Sequence, residues 1–225
     1  MKPFHAVQAL VHYDDSNKYL GILGSAFRLW SPNHYVTANH CVENLSTQNI
    51  KVFNSYGNDI SCKSISRHPT SDIAVLEMAD NIPTEFEQFK MADFDWSYGM
   101  SVHCFGMLCH RGGRVAQELA RVIGGIVQRD CIYDDGKYKS DCVELSFPVP
   151  MGTSGGPVFL VNQPNTVVAM AIANIKSELV VSSEIEYKDG KEDWKERVCE
   201  ITQYGAALWL YSLKEWLQSV IPQPC

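Results

Sequence analysis

Apolar residues in this chain come in twelve short runs, none longer than ten residues, bounded by turn formers. Runs of that length are too short for a helical face, and several alternate apolar with polar, so the chain is expected to be built from β-strands. Six fall in the first part: Ala6–His12, Gly21–Leu29, His34–Thr37, Ile50–Phe53, Asp59–Ser66 and Ile73–Met78, with turn residues at Asp14–Asn17, Ser31–Asn33, Asn54–Asn58 and Pro69–Ser71. Six more follow: Ser101–Gly106, Ala120–Arg129, Cys142–Phe147, Pro157–Leu160, Thr166–Ile175 and Thr202–Trp209. Asp80–Ser97, with its prolines, acids and aromatics, reads as the crossing segment, which puts the division at 1–92 and 93–225. Helical spacing of apolar residues at 213, 216, 217 and 220 predicts a terminal helix over Leu213–Val220.

Between two apolar runs lies Met151-Gly152-Thr153-Ser154-Gly155-Gly156-Pro157. A serine hydroxyl is a poor nucleophile unless one group removes its proton and another stabilises the oxyanion it creates. Glycines serve the second task, because without a Cβ the backbone turns so that successive N–H groups face one small space. Alone, the run also fits an ordinary interstrand loop. Upstream, however, Tyr35-Val36-Thr37-Ala38-Asn39-His40-Cys41 leads an apolar run into a histidine, and Ser71-Asp72-Ile73-Ala74-Val75-Leu76 opens another with an aspartate. The order His, Asp, Ser is one of the known chain orders of a catalytic triad.

With these three segments the sequence resembles the trypsin/chymotrypsin-like serine peptidases, from about Val7 to Ile221. The resemblance implies an all-β fold of two six-stranded antiparallel barrels with a C-terminal helix. It implies a serine endopeptidase with His40, Asp72 and Ser154 as the triad. The backbone from Gly152 through Thr153 to Ser154 would form the oxyanion hole, the N–H groups of Gly152 and Ser154 being its donors. Pro148, Val149, Met151, Ala173, Asn174, Ile175 and Gly205 would bind substrate, the strand Ala171–Ile175 by β-addition. Trypsin's pocket aspartate is replaced by Pro148, so a basic P1 side chain would lose hydration without compensation; a modest apolar pocket is expected instead. Thr153 replaces the aspartate that secreted members use in activation. That replacement, with Gly24-Ser25-Ala26-Phe27 and Gly124-Gly125-Ile126-Val127, is similar to the high-temperature-requirement peptidases and their bacterial relatives, here without a PDZ domain. The insertion 176–203 is expected as a surface loop, either a tolerated excursion or a control element acting with an activating protein partner. The alternative reading is a latent or inactive protease-like binding module.

A formal charge of −7 and a pI near 5.5 disfavour nucleic acid or an anionic membrane as partner, leaving a protein or peptide substrate. The N-terminal residues show no secretory pattern and no stretch approaches a membrane span. Of eight cysteines, none precedes Cys41, and Pro150 stands where bridged members carry another. Reduced thiols in a cytoplasmic protein fit that pattern. Without a Cys-x-x-Cys pair no metal site is expected, and the chemistry needs no cofactor.

Overall fold

A computed structural model describes residues 6–53, 59–79, 88–107, 120–188 and 191–222. β1 (Val7–Tyr13) turns antiparallel into β2 (Tyr19–Arg28). The turn is built by Asp14, whose carboxylate accepts the N–H groups of Ser16 and Lys18 at 3.0 and 2.8 Å, while Asn17 takes the left-handed φ of 62° that asparagine tolerates. β3 (His34–Thr37), β4 (Ile50–Phe53), β5 (Asp59–Arg67) and β6 (Ala74–Met78) complete a closed barrel in the order β1-β2-β3-β6-β5-β4. Alternation explains which way the strands face: Ile50 and Val52 of β4, and Ile60 and Cys62 of β5, are buried while the residues between them are not. The expected turn at Asn54–Asn58 lies outside the described residues.

The second half contains β7 (Lys90–Met91), β8 (Ser101–Met107), β9 (Ala120–Asp134), β10 (Lys139–Leu145), β11 (Pro157–Leu160), β12 (Gln163–Lys188) and β13 (Lys191–Trp209). Its order is β11-β8-β9-β10-β13-β12-β7, and β11 also pairs with β12, so six strands return on themselves with β7 added parallel to β12. Val102, Val127, Val143, Val158, Ala171 and Ala207 fill this core. A single helical turn leads into α1 (Lys214–Val220), whose Leu217 is buried, as the 3.6-residue spacing implied. Between the halves, Phe89 of the crossing segment packs its ring on Phe27 of β2 at 5.7 Å and on Phe159 of β11 at 5.9 Å. Residues 80–87 of that segment lie outside the described part.

One expectation is corrected. Residues 176–203 are not a loop: β12 and β13 continue as an antiparallel ribbon from Lys176↔Gln203 to Lys188↔Lys191, with bulges between Val180 and Ser182 and between Glu186 and Tyr187. The mixed charges read as a solvated loop, yet the segment is rich in strand-forming residues, Val180, Val181, Ile185, Tyr187, Val198 and Ile201 among them.

The halves are joined most tightly at Gly155. Its φ is +82°, and a Cβ there would stand 2.1 Å from the Ser25 carbonyl oxygen and 2.4 Å from Thr37 Oγ1. Gly155→Ala therefore combines a left-handed backbone with a clash against backbone of the other barrel, and should lower unfolding free energy by at least about 2 kcal/mol in a urea titration.

Candidate active site

The loop after β10 forms two consecutive tight turns. The Thr153 N–H donates to the Pro150 carbonyl at 3.0 Å, with Gly152 in third position at φ +92°. The Gly156 N–H donates to the Thr153 carbonyl at 2.7 Å, with Gly155 in third position. A positive φ at the third residue is what a type II turn needs, which is why glycines sit at both places. Ser154 is thus second in the second turn, with positive-φ glycines at 152 and 155 on either side of the Thr153-Ser154 pair. Underneath, Thr153 is buried against Gly106, where a Cβ would meet its methyl group at 2.5 Å.

The first barrel holds this loop from one side. The Ser25 N–H donates to the Ser154 carbonyl and the Ser25 hydroxyl to the Gly152 carbonyl, both at 2.8 Å. The same hydroxyl accepts the Met107 N–H at 2.8 Å. On the other side the Gly155 N–H reaches the Ala171 carbonyl at 2.8 Å. These bonds use the carbonyls of 152 and 154 and leave their N–H groups: among the described residues neither the Gly152 nor the Ser154 N–H has a protein acceptor. Thr153 is a correction to the expected oxyanion hole, because its N–H is already taken by Pro150.

β3 ends at Thr37, and Asn39–Cys41 form one turn of 3-10 helix that carries His40. Asp72 lies in the bend before β6, 1% exposed. Its two carboxylate oxygens accept from one residue: Oδ1 takes the His40 N–H at 2.8 Å and Oδ2 stands 2.6 Å from His40 Nδ1. A carboxylate only accepts, so Nδ1 carries the proton and, in the neutral ring, Nε2 is the acceptor. Burial opposes charge on the imidazole, but the bond to Asp72, with the neighbouring Cys41 thiol, outweighs it and pushes the His40 pKa up to about 10. Cys41 lies on the same helical turn, and its Sγ stands 4.0 Å from the Ser154 carbonyl oxygen.

Ser154 and His40 are brought to the same seam. A Cβ on Gly24 would touch the Ser154 carbonyl oxygen at 2.7 Å and Cys41 Sγ at 2.8 Å. The Ser154 hydroxyl, however, donates to the Ile172 carbonyl at 3.3 Å, and among the described residues it makes no hydrogen bond with His40. Ile172 is the extra residue of a bulge between Ala171 and Ala173 of β12.

Of the residues expected to bind substrate, Met151 and Pro148 are exposed, Ala173 and Ile175 half-buried, and Asn174 pairs with Gly205 in the sheet. The Asn174 side-chain amide accepts the Val149 N–H at 2.6 Å and donates to the Val149 carbonyl at 2.7 Å, bridging the strand to the loop. Gly205 donates to the Phe147 carbonyl at 2.7 Å, and its missing Cβ would lie 2.8 Å from Val149 Cγ2. The space beside Gly205 is therefore occupied by Val149. Sequence reasoning missed Ser25, Ile172 and Ser140, whose hydroxyl accepts the Asp72 N–H at 3.0 Å. Ser25 and Ile172 lay in segments already singled out, Ser140 in none.

Among the described residues Cys41, Cys62, Cys104, Cys131 and Cys142 carry free thiols, and no helix is long and apolar enough to cross a membrane.

No curated protein sequence matches the chain. Among solved structures it is similar to the MamO protease domain from Magnetospirillum magneticum, 19% identical, with 96% of this chain and 97% of that one covered and a TM-score of 0.66. It is also similar to the HtrA-type protease AlgW with a decapeptide, at 18% identity, 97% and 65% coverage and a TM-score of 0.66. A scabies mite inactivated protease paralogue shares the fold at 15% identity, 97% and 95% coverage and a TM-score of 0.65. These likenesses establish the fold. Residues 24–170 match the trypsin-like peptidase domain family. That span is well over half of 225 residues and holds His40, Asp72 and Ser154, and on it this chain belongs to the trypsin-like peptidase family.

Proposed function

We propose that the chain is a serine endopeptidase in which Ser154 attacks a peptide carbonyl, His40 takes its proton and returns it to the leaving amine, and Asp72 orients the imidazole. The observation that carries this reading is the two-point bond between Asp72 and His40 on the seam where the Ser154 turn is docked. The N–H groups of Gly152 and Ser154 would receive the oxyanion, and Ala173–Ile175 would pair with an extended protein segment. With Val149 against Gly205 and Asn174 across the cleft, a small apolar P1 residue is favoured over a large or basic one. The free thiols support work in a reducing compartment such as the cytoplasm.

A second reading is a latent form, favoured by one observation: the Ser154 hydroxyl is bonded to Ile172 rather than His40. The ribbon 176–203, continuous with the strand that carries Ile172, is where a partner would act.

A serine-directed fluorophosphonate should label the wild-type protein and neither Ser154→Ala nor His40→Ala, and either substitution should lower peptide hydrolysis by at least about 10⁴-fold. Absence of labelling with and without bound peptides would remove the enzyme reading and leave the binding module.

The pH profile provides a second check. Only the neutral imidazole accepts a proton, and with a pKa of about 10 its fraction keeps growing well above the 6.5 of an ordinary histidine. The rate kcat/KM should therefore still rise between pH 8 and 9.5. In Asp72→Asn, where the bond that raises the pKa is lost, the rising limb should move toward neutral pH while the plateau falls.

A further inference from the structure

The turn joining β9 to β10 belongs to the second half of the chain, yet its bonds run to the first. The Lys139 N–H donates to the Thr70 carbonyl at 2.9 Å, and the Asp72 N–H donates to Ser140 Oγ at 3.0 Å. Asn39 Nδ2 donates to the Tyr138 hydroxyl at 3.1 Å, and that hydroxyl donates to Glu43 Oε2 at 2.8 Å. Lys137 adds an ion pair with Glu43. Residues 39 and 43 bracket His40, and 70 and 72 are Asp72 and its approach, so every contact falls on the two segments that present the candidate base and its orienting acid.

The turn is fixed internally as well. Asp135 accepts the N–H groups of Lys137 and Tyr138 at 2.9 and 2.7 Å, bonds that hold its carboxyl below the usual range. Gly136 sits at φ +84° with its N–H on Asp134 at 2.9 Å. Tyr138 is 7%, Ser140 1% and Asn39 3% exposed, so these bonds are sheltered from water. A buried N–H such as that of Asp72 must have an acceptor, and a sheet or helix usually supplies one locally. Here the acceptor comes from the other barrel. The orientation of Asp72, and through it of His40, is thus set by how the barrels dock.

We propose that the β9–β10 turn is a clasp that holds the His40–Asp72 pair in register with Ser154, and that Ser140 and Tyr138 are its positioning residues. The proposal rests on the reading of His40 and Asp72 given above. Ser140 takes the main chain of Asp72 rather than its carboxylate, so both carboxylate oxygens stay on His40. Tyr138 secures the residue before the histidine and, through Glu43, the end of the turn after it.

The test uses the full chain with Ser140→Ala, Ser140→Thr and Tyr138→Phe, and has two readouts. In peptide hydrolysis, Ser140→Ala should lower kcat about tenfold with KM unchanged, as expected for one lost buried bond. Ser140→Thr, which keeps a hydroxyl on the same Cβ, should recover most of it, and Tyr138→Phe should lower kcat a few-fold. In ¹⁵N-histidine-labelled protein the His40 Nδ1–H resonance should shift and broaden in Ser140→Ala and Tyr138→Phe but not in Ser140→Thr. Loss of melting temperature alone, with kcat and that resonance unchanged, would reduce both residues to ordinary packing and overturn the clasp. If Ser140→Ala does not fold, Tyr138→Phe decides by the same two readouts, because it removes one oxygen and leaves the ring. A wild-type protein without Ser154-dependent labelling would remove the peptidase reading, whereas the resonance would still decide whether the clasp holds His40.

Discussion

Everything near the seam depends on where the hydrogen-bonding capacity of Ser25 is directed. Its N–H and hydroxyl satisfy the carbonyls of Ser154 and Gly152, and its oxygen accepts Met107, while its own carbonyl accepts the Thr37 hydroxyl at 2.8 Å. Ser25 is fully buried, so any of these bonds left unmade would be costly. With the two carbonyls held, the intervening peptide groups have little freedom. The N–H groups of 152 and 154 are then left over by construction, the arrangement an anion-binding concavity requires. The glycines make this possible and Ser25 makes it stable.

The electrostatics follow from the same docking. Asp72 is buried beside an imidazole whose side chain is just over a third exposed, 37%. Water therefore reaches the histidine but not the acid, and the two carboxylate oxygens have the His40 backbone and ring as partners rather than solvent. The result is an imidazole that prefers its proton, held by a carboxylate that it neutralises. For proton transfer this sets a tension: tight pairing orients the ring but makes neutral His40 scarcer at physiological pH. A group that competes with the pairing, or substrate that stabilises the proton-accepting state, shifts that balance.

How much of this was legible in the sequence follows from how local each feature is. The strands, the segments around His40, Asp72 and Ser154 and the glycine turn could be read because each is written within about ten neighbouring residues. Ser140 could not, since nothing near Lys139 or Asp141 distinguishes it and its bond to Asp72 spans 68 positions. Ile172 acts through a carbonyl exposed by a bulge, which no side-chain pattern announces. Thr153 lies within the stretch expected to form the oxyanion hole, but no residue type announces that the turn consumes its N–H. The ribbon was misread because charge density masked strand propensity. Val149 and Asn174 can be singled out by position, but the bonds between them depend on a 25-residue separation that only the fold closes.

The active and latent readings then differ by less than the fold's other constraints would suggest. The bond from Ser154 to Ile172 is a neutral hydroxyl–carbonyl contact of 3.3 Å, toward the long end of the range, whose net contribution is about 0.5–1.5 kcal/mol. The main chain around Ser154 is held independently of that bond, by Ser25 at the Ser154 carbonyl and by Ala171 at the Gly155 N–H. A difference of that size corresponds to a population ratio of roughly ten or less, well within what a docked substrate backbone can reverse. A cleft blocked by backbone collapse would need several such bonds to be exchanged at once. On the peptidase reading, control is then a matter of whether the Ser154 hydroxyl keeps its bond to the Ile172 carbonyl.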